Sequence, residues 1–102
     1  MNVNCGRCPA AHQDDPAPCG GPLAVRVLDA VGVGVDGCEH HGARMLASLD
    51  RARVHPLPGA PPGAAIRVFQ AADGIRPFCW LDGPRIEPSQ LSRAENRAHH
   101  TR

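Results

Sequence analysis

The feature that most constrains this chain is a set of metal-binding residue types within its first 41 residues. The set consists of Cys5, Cys8, Cys19, Cys38, His40 and His41. The chain has only 102 residues, of which 11 are glycine and 11 are proline. A domain of this size buries a modest fraction of its surface and often needs a staple to be stable. We therefore expect several of these residues to hold one metal ion.

The pattern of cysteines favours a metal site over a disulfide framework. The count of five is odd, and the N-terminal stretch MNVNCGRCPA lacks the charged-then-apolar pattern of a secretion signal. We therefore expect a cytoplasmic protein, whose thiols stay reduced. The chain has no run of 18 apolar residues, so we expect no membrane-spanning helix. The net charge of +1 gives no strong field that would attract nucleic acid or a membrane surface.

Apolar periodicity predicts a hairpin followed by a helix. Apolar residues alternate in two short runs, around Val25 and Val27 and around Val33 and Val35, which predicts a β-hairpin over residues 23–35. Residues 38–53 are predicted to form a helix. Its apolar stripe consists of Met45, Leu46, Leu49 and Ala52.

The rest of the chain is predicted to add short strands and a polar tail. The stretch HPLPGAPPGA breaks regular structure, Val54 is predicted to begin a short strand before it, and AAIRVFQA after it is predicted to be a strand. RPFCWL is expected to be a last strand or a packed arm. Ser92 and Glu95 form a capping box that predicts a short helix. We expect an α+β domain over residues 1–83, with one to three short strands after the helix, and a partly disordered tail over residues 84–102.

Helical geometry distinguishes the two adjacent histidines. Cys38, His41 and Met45 are spaced by three and four residues, so they share the apolar side of the predicted helix. His40 instead shares its side with Arg44. We therefore expect His41 to be the imidazole ligand and His40 to point outward.

The order of these parts resembles a treble-clef zinc finger over about residues 5–52. The matching parts are the motif CGRC at residues 5–8, the hairpin at 23–35 and the helix opening CEHH. The resemblance implies a structural zinc ion, held by cysteines of a knuckle and by two ligands in the first turn of the helix. The chain departs from the family at Cys19, which stands just before the first strand, where the second knuckle cysteine usually lies.

Three sets of metal ligands are then possible, because zinc prefers four sulfur and nitrogen ligands. Cys5 and Cys8 could act with Cys38 and His41, or Cys19 could replace one of the first two. In the third set all four leading cysteines bind and His41 lies behind them. The set of Cys8, Cys19, Cys38 and His41 is preferred, with Cys5 next.

The surplus of ligands favours a closed, structural site, because a catalytic zinc keeps one position open for water. We expect a non-enzymatic module that contacts another macromolecule, and the near-neutral charge favours a protein. The proline-rich residues 56–62 and Trp80 are the expected contact features. One alternative is a nucleic-acid-associated regulator that uses the arginine face of helix 38–53, with Arg44, Arg51 and Arg53. Another is a thiol-based redox or metal sensor.

Overall fold

The computed structural model describes residues 8–12, 15–77 and 91–100. Within these ranges the chain forms three strands and three helices. In chain order they are β1 (Val25–Leu28), β2 (Gly34–Gly37), α1 (Glu39–Ser48), β3 (Arg53–Pro56), α2 (Ala64–Gly74) and α3 (Arg93–His100). The predicted α+β class is confirmed.

The strands form one antiparallel sheet in the order β2-β1-β3. Val27 of β1 lies opposite Val35 of β2 and Val54 of β3, so one face of the sheet is aliphatic. The side chain of Asp29 closes the predicted hairpin, because its Oδ1 accepts hydrogen bonds from the backbone N–H groups of Val31 and Val33. The hairpin is therefore confirmed, and the strand predicted around Val54 is confirmed as β3.

Helix α1 begins after Cys38 but ends at Ser48, five residues before the predicted end at residue 53. Leu49 is extended, and Arg51 has a left-handed backbone with φ of 59°. Leu49 and Ala52 nevertheless pack against the core. Apolar spacing therefore continued beyond the helix, which made the predicted helix too long.

The strand predicted for AAIRVFQA is wrong, since these residues belong to helix α2. Its buried residues are Ala64, Val68 and Ala72, which are spaced by four and line one side of the helix. The β-branched and aromatic residues between them indicated a strand, but such propensity depends strongly on tertiary context. Four alanines within residues 64–74 favour a helix, and the buried side of that helix packs against α1.

The core lies between the sheet and helices α1 and α2. Val25, Val27, Leu46 and Val68 are buried in it. Gly42 of α1 allows this close approach, because a Cβ atom there would lie 2.7 Å from Cγ2 of Val25. The absence of that carbon lets helix α1 lie directly on β1.

Helix α3 confirms the predicted capping box. Glu95 N–H donates to Ser92 Oγ at 3.1 Å, and Ser92 N–H donates to Glu95 Oε1 at 2.9 Å. Asp73, in the last turn of α2, forms a two-point ion pair with Arg97 of α3. Arg76, just after α2, forms a second one with Glu95 of α3. These charged contacts join the last helix to α2.

Two predictions concern parts of the chain that lie outside the described residues. From Phe78 onward, the predicted arm or strand RPFCWL lies outside the described residues, so it stays a prediction. The predicted domain boundary between residues 83 and 84 lies there too and also stays a prediction. Among the described residues, no helix has both the length and the apolar character needed to cross a membrane.

Candidate metal centre

The N-terminal segment, described over residues 8–12 and 15–22, brings two cysteines to the start of helix α1. Ala10 N–H donates to the carbonyl of Asp36 at 3.1 Å, which fastens this segment beside β2. Gly37 makes room for it, because a Cβ atom on Gly37 would lie 2.6 Å from Cβ of Ala10. Close packing against the hairpin therefore fixes where Cys8 can lie.

Cys8, Cys19, Cys38 and His41 converge on one point. Their three sulfur atoms and one imidazole nitrogen all lie within 4.8 Å of one another. Nδ1 of His41 is 3.3 Å from Sγ of Cys38 and 3.6 Å from Sγ of Cys8. In a tetrahedral zinc site, two ligand atoms are separated by about 3.5 Å for sulfur and nitrogen and about 3.8 Å for two sulfurs. The cluster is therefore of the right size and donor type for a metal ion, and it is compatible with zinc.

The hydrogen bonds of His41 show which ring nitrogen is available to a metal. Nε2 lies 3.0 Å from the carbonyl oxygen of Ala17. A carbonyl only accepts hydrogen bonds, so Nε2 carries the hydrogen and the neutral ring has its lone pair on Nδ1. That lone pair is on the side of the sulfur atoms. The ring is therefore oriented for metal binding through Nδ1.

Asp15 supports this arrangement from behind the imidazole. Its Oδ1 accepts a hydrogen bond from Ala17 N–H at 2.9 Å, and thereby fixes the loop whose carbonyl binds His41. Its Oδ2 lies 3.2 Å from Nε of Arg44 and 3.9 Å from Nε2 of His41. The carboxyl group is buried, so the neighbouring guanidinium balances its charge.

The sulfur of Cys38 is the best-supported site of negative charge in the cluster. Burial acts to raise the pKa of this thiol, but hydrogen bonds from the backbone N–H groups of His41 and Gly20 bring the pKa below its ordinary value. The pKa of the Cys8 thiol is raised, first by burial and then by the charges of Cys38 and Cys19. Mutual repulsion therefore opposes ionising every thiol, and a divalent cation among them would remove that opposition.

Of the two predictions about the adjacent histidines, one is confirmed and the other is wrong. His41 is 0% exposed, which confirms the inward orientation. The prediction that His40 points outward is wrong. His40 is half-buried and its Nε2 has no accessible surface, and Gly20 lies against its Cβ atom. The N-terminal segment covers a side of α1 that helical periodicity alone assigned to solvent.

The arginine face predicted for helix 38–53 is also not formed. Arg44 lies on α1, but its guanidinium contacts Asp15 and donates to the backbone carbonyl of Arg76 at 3.1 Å. Arg51 and Arg53 lie beyond the helix, in the turn and in strand β3. The three side chains therefore do not share one helical surface.

Of the five predicted metal ligands, the structure brings together Cys8, Cys19, Cys38 and His41, while Cys5 lies outside the described residues. The sequence did not predict the support that Asp15 and Ala17 give to the imidazole of His41. Asp15 precedes Pro16, a pattern that by itself indicates only a turn. Its position behind His41 has no counterpart in sequence spacing.

Comparisons with protein-family models, with curated proteins and with solved structures found no match to this chain. The chemistry of the centre must therefore be inferred from the residues of this chain.

Proposed function

We propose that this chain is a non-enzymatic module built around a structural zinc ion, with a surface that contacts another protein. Cys8, Cys19, Cys38 and His41 would bind the ion in a treble-clef-like arrangement. The observation that carries the proposal is the convergence of these four donor atoms within 4.8 Å.

The donor set favours zinc over other common ions. Three sulfurs and one imidazole nitrogen form a typical tetrahedral zinc site, whereas magnesium and calcium prefer oxygen ligands. Cys38 and His41 are each 0% exposed, and four protein ligands complete a tetrahedron. A centre with all positions taken by protein supports folding and has no place for an activated water.

The ion would connect two parts of the chain that are far apart in sequence. Cys8 and Cys19 belong to the N-terminal segment, while Cys38 and His41 lie at the end of β2 and in the first turn of α1. Among the described residues, the buried core holds few large side chains, of which Leu46 is the largest. A structural zinc ion contributes on the order of 10 kcal/mol to folding, against a total of about 5 kcal/mol or more for a small domain.

A protein partner is supported by the outer surface of α2. Ile66 and Phe69 are 63% and 62% exposed, and they lie three residues apart on the same side of this helix. The proline-rich residues 56–62, largely exposed, lead into the same helix. Exposed apolar residues beside polar neighbours are typical of protein contact sites. The predicted contribution of Trp80 lies outside the described residues.

Metal analysis of purified variants tests the zinc centre. The expected result is about one zinc ion per chain in the wild type. We expect loss of stoichiometric zinc in Cys8→Ser, Cys19→Ser, Cys38→Ser and His41→Ala, and retention in Cys5→Ser. His40→Gln is the matched control, since it changes the adjacent imidazole and keeps a polar atom near the position of Nε2.

Absence of stoichiometric metal from the wild type would overturn the zinc proposal. Loss of zinc in Cys5→Ser, with retention in Cys19→Ser, would assign a different ligand set.

A further inference from the structure

The three thiols of the centre differ in access to solvent. Cys38 is fully buried, whereas Cys8 and Cys19 are only partly buried. Cys38 Sγ also accepts hydrogen bonds from the backbone N–H groups of His41 and Gly20, at 3.3 and 3.4 Å. Oxidation of a cysteine depends on its thiolate character and on its exposure. Cysteine binds zinc as the thiolate, so exposure is what distinguishes the three sulfurs of a zinc-loaded centre. A small oxidant in solution would therefore reach Cys8 and Cys19 before Cys38.

Cys8 and Cys19 are also close enough to react with each other. Cys8 N–H donates to Sγ of Cys19 at 3.2 Å, and the two sulfur atoms lie within 4.8 Å. A disulfide needs a sulfur–sulfur distance of about 2 Å. Both cysteines belong to the N-terminal segment, whose described residues form no helix or strand, whereas Cys38 is held at the start of α1.

On the basis of the zinc centre proposed above, we propose that Cys8 and Cys19 form a redox-sensitive pair that releases the ion when it is oxidised. The oxidant is hydrogen peroxide. One thiolate attacks a peroxide oxygen, the O–O bond breaks, and a sulfenic acid and hydroxide form. The second thiolate attacks the sulfenic sulfur, the S–S bond forms, and a second hydroxide leaves. Two protons convert both hydroxides to water, and the two sulfurs supply the two electrons.

Zinc leaves without a change in its own oxidation state. After the disulfide forms, Cys38 and His41 are the remaining ligands of the set, and two ligands do not complete the four-coordinate site that zinc prefers. The aliphatic core around Val25, Val27 and Val68 does not include the oxidised pair. Oxidation would therefore act first on the N-terminal segment and on the first turn of α1.

The test uses the full chain with Cys5→Ser and Cys79→Ser, so that only the three cysteines of the centre remain. The zinc-loaded protein is treated with hydrogen peroxide, and released zinc is followed with a colorimetric chelator. Free thiols are then alkylated with iodoacetamide under denaturing conditions, and the protein is digested with trypsin. Cleavage after Arg7, Arg26 and Arg44 places Cys8 and Cys19 in peptide 8–26 and Cys38 in peptide 27–44.

The expected result is release of zinc together with a peptide 8–26 that is lighter by two hydrogen atoms and not alkylated. Peptide 27–44 should be alkylated, and dithiothreitol with added zinc should restore binding. A disulfide between the two peptides, or oxidation to sulfinic acid without a disulfide, would overturn the proposed pair. Retention of zinc by a loaded protein would overturn the redox response alone, whereas a protein that binds no zinc before treatment would overturn the metal centre itself.

Discussion

At the scale of single residues, the two adjacent histidines have different environments. The imidazole of His41 is buried. Its Nε2 is hydrogen-bonded to the carbonyl oxygen of Ala17, and its Nδ1 faces the sulfur atoms of Cys38 and Cys8. His40 lies under Gly20, and its ring meets that of His41 edge-on at a centroid distance of 5.1 Å. Their different roles arise from what the N-terminal segment places around each ring.

The support of His41 by Asp15 leads to a first prediction. Asp15→Ala removes the acceptor that fixes Ala17 N–H, so the carbonyl that orients His41 loses its position. We expect the zinc dissociation constant to rise about 10- to 100-fold, as found for outer partners of metal ligands. Competition with a chelator of known affinity measures it. Asp50→Ala, at an exposed turn residue, is the matched control, and equal affinities in the two variants would contradict this role of Asp15.

At the scale of elements, the contact between helix α1 and the sheet depends on a residue without a side chain. A Cβ atom on Gly42 would approach Val25 to 2.7 Å, and it would also lie 3.9 Å from Val68 of α2. Both neighbours are buried core residues, so they have little room to move. Gly42 thus determines how closely α1 approaches β1 and α2.

Gly42→Ala should therefore destabilise the protein by about 1–3 kcal/mol, the usual cost of overpacking a core. Urea unfolding of the zinc-loaded protein measures the free energy of unfolding. Gly74→Ala is the control in the other helix, because a Cβ atom there meets nothing within 4 Å, and its effect should stay within about 0.5 kcal/mol. Equal effects of the two substitutions would show that backbone propensity, rather than contact with Val25, controls stability here.

The last helix depends on charge. Hydrogen bonds from the Arg76 guanidinium, and next from Ser92 N–H, lower the pKa of Glu95 from 4.5 to about 2. Because the pKa is lower in the folded state, this contribution to stability is complete above pH 4.5 and is lost as the pH falls toward 2. Contact between α3 and α2 should weaken in that range.

Hydrogen exchange of α3 amides in wild type and Glu95→Gln tests this. Wild type should show greater protection than Glu95→Gln at pH 6, and the difference should shrink below pH 4.5. Both proteins carry the same metal ligands, so protonation of those ligands affects both alike. A difference that stays constant down to pH 2 would contradict the ionic role of Glu95.

The exposed apolar side of α2 gives a separate prediction about binding. Phe69→Ser should weaken binding to a purified protein partner about 30-fold or more, because truncating a hot-spot aromatic residue costs about 2 kcal/mol or more. Val31→Ser at the hairpin tip, where Val31 is 84% exposed, is the matched control for loss of an apolar surface residue. Isothermal titration with each variant measures the change, and equal losses would place the contact elsewhere.

At the scale of the whole molecule, stability should depend on the metal. A chelator should cause loss of hydrogen-exchange protection in β1, β2 and α1, because the proposed ion joins the N-terminal segment to the hairpin and helix. Zinc should restore it, and the melting temperature should rise with free zinc. Magnesium is the control and should restore nothing, since it prefers oxygen ligands. Unchanged protection after chelation of a zinc-loaded protein would show that the ion is not needed for the fold.

Local patterns in the sequence were enough to predict the features that depend on residues close together in the chain. Alternating valines with a turn between them predicted the hairpin, and Ser92 with Glu95 predicted the start of α3. The spacing of Cys38, His41 and Met45 predicted which histidine is buried, because residues three and four apart share a helix face whatever lies around it.

Only the tertiary structure decided what depends on contacts between distant residues. Residues 64–74 mix helix-favouring alanines with strand-favouring Ile66, Val68 and Phe69, so the packing of one side against α1 decides between the two. His40 is covered because Gly20 of the N-terminal segment lies against the start of α1. The sequence left several ligand sets open, since spacing does not show how far a loop bends back. The fold brings Cys8 and Cys19 to Cys38 and His41, and places Asp15 behind the imidazole.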